Sequence, residues 1–185
     1  MTAINKTTDV RALQSRSQLL KALLTLMQET EYKNINVKVL TERAGVARQT
    51  FYRNFKSIDD ILIQEMDRRH YEYNNLVETD ICAGNILRAS EKMFILLEKS
   101  FDLQVAMQKA NINHKIIHRY EKYAMNVMQI ATKGRKLTDK SLFAAQFLAG
   151  GSYMVFNKWV ESNMEAPIAE VAELMKDYLE LLTKQ

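Results

Sequence analysis

The chain has 185 residues, 47% of them hydrophobic and 26% charged, a balance that excludes a disordered or fibrous protein and suits a globular one. Its five Gly and one Pro leave few points at which helices must end, so an all-α fold with short connections is expected. The net charge of +4 lies in the first third: residues 1–60 hold ten Lys/Arg against six Asp/Glu, and the rest hold sixteen of each, as a basic module for an anionic partner joined to a neutral module would.

A single cysteine, Cys82, rules out an internal disulfide, and the first residues, MTAINKTTDVRALQSR, carry no apolar secretory run. A cytoplasmic setting is expected. The longest uncharged stretch, Ser141 to Asn157, is 17 residues long and includes Gln146, Ser152 and Asn157. It is short for a bilayer span and reads as a bundle helix, so no membrane partner is expected.

In chain order, Leu19, Ala22, Leu23, Leu26 and Met27 form one helical face within Arg16–Met27. Asn36 is placed to cap a short second helix, Val37–Ala44, with Val37, Leu40 and Ala44 inward. Gly45 can take the left-handed conformation that ends it, and a third helix runs from Ala47 or Arg48 to about Phe55. Ser57-Ile58-Asp59-Asp60 has capping-box form and opens a fourth helix whose apolar stripe fades along its length, the pattern of a strut between modules. Further helices are predicted over 86–100, 101–110, 112–132 and 139–163, with Pro167 in the first turn of the last one.

Short helix, glycine turn and short helix is the helix-turn-helix arrangement, whose second helix enters the major groove of DNA. In AGVARQTFYRNFKS, Phe51 and Phe55 are four apart and belong to the core. Arg48, Gln49, Thr50, Tyr52 and Arg53 are left to point outward. Glutamine pairs bidentately with adenine and arginine with guanine, so Gln49 and Arg48 are the candidate base readers. Thr50 and Tyr52 carry hydroxyls suited to bases or phosphates, Lys56 brings charge to the strand, and the free amides at Asn36 and Val37 suit a phosphate.

From Arg16 to about Ile63 the chain resembles the N-terminal domain of TetR-family transcriptional regulators, with LTERAGVARQTFYRNFKS on the family's helix-turn-helix signature and Tyr52 on its tyrosine. The resemblance implies about nine helices, three of them in a DNA-binding part (1–56), and an effector-binding and dimerisation part (57–185). It implies recognition contacts at Arg48, Gln49, Thr50 and Tyr52 and phosphate contacts near Asn36, Val37 and Asn54. It also implies a homodimer, a palindromic double-stranded operator and a small-molecule effector. Ala47 departs from the family's serine and removes a side-chain cap. Ile58 stands where many relatives place a phosphate-binding lysine, and Glu31 where a glycine commonly closes the first helix.

Gly150-Gly151 within a long apolar helix costs about 1 kcal/mol per glycine relative to alanine, tolerable where another helix must come close. The expected dimer seam is Ala144, Phe147, Leu148, Gly151 and Val155, beside Val171, Met175 and Tyr178 of the last helix; an intrachain crossing is the competing explanation. This stretch with Trp159 resembles a TetR subgroup that includes a coactivator of dihydroxyacetone metabolism, so an activator switched by a protein partner stands as the alternative to an effector-released repressor. Met93, Phe94, Met107, Tyr120, Tyr123, Met128 and Phe143 are candidate pocket residues, though such stripes more often build plain core. His114 and His118 have metal-ligand spacing without an acidic or cysteine cluster to complete a site, so no metal, cofactor or enzymatic constellation is predicted.

Overall fold

The structure, a computed structural model, describes residues 3–183, with side chains described over 10–112 and 114–177. Among the described residues the fold is all-α: α1 (Ala3–Glu29), α2 (Val37–Ala44), α3 (Arg48–Asn54), α4 (Ile58–Cys82), α5 (Ile86–Glu98), α6 (Phe101–Lys109), α7 (Asn113–Ala131), α8 (Asp139–Glu161) and α9 (Ile168–Thr183), with one 3-10 turn at Tyr32–Asn34. Two compact units result, one of residues 1–66 with 105–112, the other of 67–104 with 113–185.

In the first unit the predicted face of α1 is the buried one: Leu19, Ala22, Leu23, Leu26 and Met27 are all in the core with Leu40, Phe51 and Phe55. The helix itself begins at Ala3, well before the Arg16 expected from periodicity. Val10 and Leu13 are exposed on this extension, so no amphipathic stripe announced it. Glu31 adopts an extended conformation, φ −66° and ψ 141°. The turn after α1 therefore needs no left-handed residue, and glutamate fits where relatives use glycine. Arg43 on α2 donates to both carboxylate oxygens of Glu29 at 2.8 and 2.5 Å, which ties α2 to the end of α1.

Asn36 caps α2 as expected, its side-chain oxygen accepting from the Val39 amide at 3.1 Å. Gly45 ends it at φ +66°, where a Cβ would be strained. Ala47 begins α3 with cap-like extended backbone but no side-chain hydrogen bond. At the next junction Ser57 Oγ accepts from the Asp60 amide at 3.3 Å, while Asp60 reaches back to the Lys56 amide at 3.0 Å, one residue earlier than in a standard capping box.

α4 is more than a strut, and here the sequence expectation is corrected. After Ile61, Leu62, Ile63 and Met66, its apolar period breaks over Asp67–His70 and then resumes at Tyr73, Val77 and Ile81, all buried. Those three pack with Ala89 as a core of the second unit. In the same unit α5 and α9 bury Phe94, Val171, Ala172 and Met175 with Phe156 and Trp159 of α8. α7 and α8 meet through Ala124, Ala145 and Ala149, small residues that let two helices approach closely. Pro167 directly precedes α9, its carbonyl accepting from the Glu170 and Val171 amides, so it stands at the cap and not within the first turn.

Phe51 has no exposed surface and Tyr52 is 64% exposed, so the neighbours are expected to respond oppositely to truncation. Phe51→Ala should destabilise the protein by about 3–5 kcal/mol in denaturant unfolding, whereas Tyr52→Ala should change it by no more than about 0.5 kcal/mol.

Candidate nucleic-acid interface

The short helix α3 spans seven residues, too few to be stable by itself. Its inner face is Phe51, in edge contact with the Tyr52 ring at 5.3 Å and tilted against Phe55 at 6.0 Å. Pinning that face leaves Arg48, Gln49, Tyr52 and Arg53 exposed and Thr50 half-buried, with Lys56 exposed just beyond. Asn36 and Val37 begin α2, where Asn36 satisfies one amide and the first amides of the helix have no intrahelical acceptor.

Asn54 has side-chain partners within the protein. Its Oδ1 accepts from Arg16 Nε at 3.1 Å and its Nδ2 donates to the Thr50 carbonyl at 2.8 Å. The side chain therefore braces α3 against α1. Gln64 on α4 adds a second brace, donating to the Asn54 carbonyl at 3.3 Å. Between α1 and α3 lies a groove of about 650 Å³ to which Arg11, Gln14, Ser15, Gln18, Thr50 and Arg53 contribute. The α1 half of this lining was missed by sequence reading, because Arg11, Gln14 and Ser15 precede the amphipathic stretch from which the helix was inferred and Gln18 lies off its apolar face.

The second unit holds a partly open cavity of about 100 Å³ walled by α4, α5, α7, α8 and α9. Of the expected pocket residues, Met93, Tyr120 and Tyr123 line it. Phe94 is in the core beside Phe156 and Trp159, Met128 packs against the α7–α8 contact, Met107 belongs to the first unit, and Phe143 is 72% exposed.

His70 also lines the cavity and carried no signal in sequence. Its ring stacks on Tyr123, with centroids 3.6 Å apart and planes 16° apart. Tyr123 Oη donates to Asp67 Oδ1 at 2.7 Å, and Arg119 pairs with the other Asp67 oxygen. Burial chiefly, with a smaller contribution from Lys122, lowers the His70 pKa to about 4 against the pull of Asp67. Burial likewise pushes the phenols of Tyr73, Tyr120 and Tyr123 above their ordinary range, so they stay neutral. His114 and His118 are exposed, and among the described residues no group of three His, Cys, Asp or Glu could hold a metal ion.

The residues expected at a dimer seam fall on two sides. Leu148 lines the cavity, Val155 packs against the α5–α9 core, and Val171 and Met175 are buried in that core. Phe147 and Gly151 are exposed, and Ala144 is half-buried. Tyr178 lies on α9, but its side chain is outside the described residues. Phe143, Phe147 and Met154, at 72%, 65% and 65% exposure, form one apolar stripe of α8 with the glycine pair. A Cβ at Gly150 or Gly151 would meet nothing within 4 Å, so no intrachain crossing requires them.

Since the folded-state pKa of His70, about 4, lies below its ordinary 6.5, the unfolded chain binds this proton more readily. The stabilisation is present above pH 6.5 and is lost as pH falls through the window from 6.5 to 4. Side-chain NMR should show His70 titrating at a midpoint of about 4, and His70→Phe should remove part of the acid dependence of unfolding.

Residues 19–64 match the sequence profile of the tetR family of bacterial regulatory proteins. A relative, the fatty acid metabolism regulator protein of Bacillus subtilis (strain 168), is 30% identical over 86 residues, which make up 46% of this chain and 43% of that protein. The aligned part is thus less than half of the relative's length. The fold is similar to that of the dihydroxyacetone kinase operon activator DhaS, with TM-score 0.61 and 16% identity over 92% of this chain and 95% of that one. It is also similar to a transcriptional regulator from Aquifex aeolicus VF5, with TM-score 0.59 and 15% identity over 91% and 99%. α2, the Gly45 turn and α3 all lie inside the matched segment, so the likeness to the tetR family of bacterial regulatory proteins covers the whole helix-turn-helix of this chain.

Proposed function

We propose that the protein is a homodimeric, sequence-specific DNA-binding transcriptional regulator, a repressor released from a palindromic operator by a small molecule. The observation that carries this reading is α3, held through Phe51 and Phe55 with Arg48, Gln49, Tyr52 and Arg53 turned to solvent. Arg48 and Gln49 are assigned to base edges, and Thr50 and Tyr52 to bases or phosphates. Asn36, Val37 and Lys56 are assigned to the phosphate backbone. Asn54 contributes by holding α3 in place. Residues 1–56 make up the DNA-binding part and 57–185 the effector and dimer part; the setting is the cytoplasm, and no described helix is long and apolar enough to cross a membrane.

The homodimer is assigned to the α8 stripe, Phe143, Phe147, Gly151 and Met154, flanked by Ala144 and by α9. A partner helix can come close over the glycine pair, which offsets the helix propensity lost there. Two copies of α3 related by a two-fold axis would then read half-sites roughly 34–36 Å apart or a multiple of that spacing. The effector is placed in the cavity behind His70. α4 carries His70 and is separated from α3 by only three residues, 55–57, so a ligand that displaces α4 bears on the reading helix. Coupling of about 1–3 kcal/mol already changes DNA affinity roughly 5- to 150-fold. The second reading, an activator switched by a protein partner, draws on the fold likeness to the dihydroxyacetone kinase operon activator. Operator binding released by a small molecule supports the first reading, and binding altered only by a partner protein supports the second.

In gel-shift titrations against the promoter beside its own gene, Gln49→Ala should reduce operator preference, with a loss of about 1–3 kcal/mol and relaxed specificity at the base it reads. Lys56→Ala should weaken all sequences alike and lower the salt slope by about one. Unchanged preference in Gln49→Ala would show that α3 is read in the wrong register. Phe147→Glu should convert the dimer to monomers in sedimentation velocity while leaving helix content intact; a persistent dimer would remove the α8 assignment.

A further inference from the structure

The second unit's cavity specifies the chemistry of its occupant more closely than the family likeness, which covers residues 19–64, does. Its volume of about 100 Å³ is below the ~300 Å³ at which ordinary ligand pockets begin and near the ~150 Å³ of an apolar protein cavity that takes up benzene. A long acyl chain would not be contained within it. Met93, Tyr120, Leu148 and Phe156 supply an almost wholly apolar wall, with hydroxyl-bearing Ser90 and Ser152 beside them.

His70 is the polar exception. One face of its ring is covered by Tyr123, and its Nε2 is buried without a hydrogen-bond partner. Such an atom costs stability until something bonds to it. No Lys, Arg, Asp or Glu contributes to the lining, and Asp67, one turn before His70, is already engaged by Arg119 and Tyr123. A carboxylate entering this space would lose its hydration with no cation to replace it.

We infer that this cavity binds a compact, uncharged alcohol or phenol, of roughly six to eight non-hydrogen atoms, whose hydroxyl bonds to His70 Nε2. A hydroxyl both donates and accepts, so it answers either neutral tautomer of the imidazole. The inference rests on the reading of the cavity as the effector site.

The test is calorimetric titration of the full chain, without DNA, at neutral pH, with phenol, toluene and benzoate as probes. Phenol binds saturably. Toluene, which has the same shape without the hydroxyl, binds on the order of tenfold more weakly, and benzoate does not bind. In His70→Phe the preference for phenol over toluene disappears. In the unaltered protein phenol, and not toluene, moves the His70 imidazole nitrogen resonances, so the contact is read even if the variant fails to fold. The inference is overturned if phenol does not saturate, if toluene or benzoate equals it, or if those resonances stay still. A gel shift on the same preparation separates the two layers: phenol that binds without changing operator affinity sustains the ligand class and removes the effector-release reading.

Discussion

A helix of two turns cannot hold its own conformation in water, and the surface proposed to read DNA depends on one such helix. Phe51 resolves this. Buried with Leu19, Leu23 and Leu40, it ties α3 to the two helices before it. The side chains at 48, 49, 52 and 53 are then displayed because 51 and 55 are not free to turn. The Arg16–Asn54–Thr50 hydrogen bonds and the Gln64 contact complete the constraint at the other end of the helix. Ala47 offers no side-chain cap, and the start of α3 is held by the Thr50 and Phe51 amides, which donate to the Ala47 carbonyl.

α4 joins two chemistries in one continuous helix. Its first turns carry Ile61, Leu62 and Met66 in the first unit's core, and its later turns carry Tyr73, Val77 and Ile81 in the second's. In the interruption between them, Asp67–His70, Asp67 and His70 turn toward α7 while Arg68 stays exposed. Asp67 gathers Arg119 and Tyr123 from α7, and Tyr123 in turn stacks on His70. Burying an imidazole here excludes its charged form at neutral pH. The local break in hydrophobic pattern thus marks a polar group placed against an apolar cavity.

α8 has apolar residues both in the core and on the surface. Ala145, Ala149, Ser152, Phe156 and Trp159 are buried within the chain, and the Trp159 indole is fixed by a 2.9 Å hydrogen bond to the Ala166 carbonyl. The stripe of Phe143, Phe147 and Met154 remains open to solvent. Exposed apolar surface rimmed by polar residues is what an association face requires, and the open space above the glycines is consistent with close approach by a second helix.

Much of the first unit was legible in the sequence by itself, because it is built from local rules. Asn36 caps, Gly45 turns and a four-residue spacing of phenylalanines act over single turns of helix, and they recur in the structure at the same residues. The all-α class follows equally locally, from scarce breakers and sustained 3.6-residue periods. What only the tertiary structure decided involves residues far apart in sequence. Phe94, Val171 and Met175 have side chains as suited to a ligand pocket or a dimer seam as to a core, and only packing assigned them to the core. His70 gained its position from α7 residues about fifty positions away, and α1 extends back to Ala3 without an apolar stripe to announce it. Helical periodicity shows that a residue has an apolar neighbour; which neighbour, and whether space remains between them, is set by how distant helices meet.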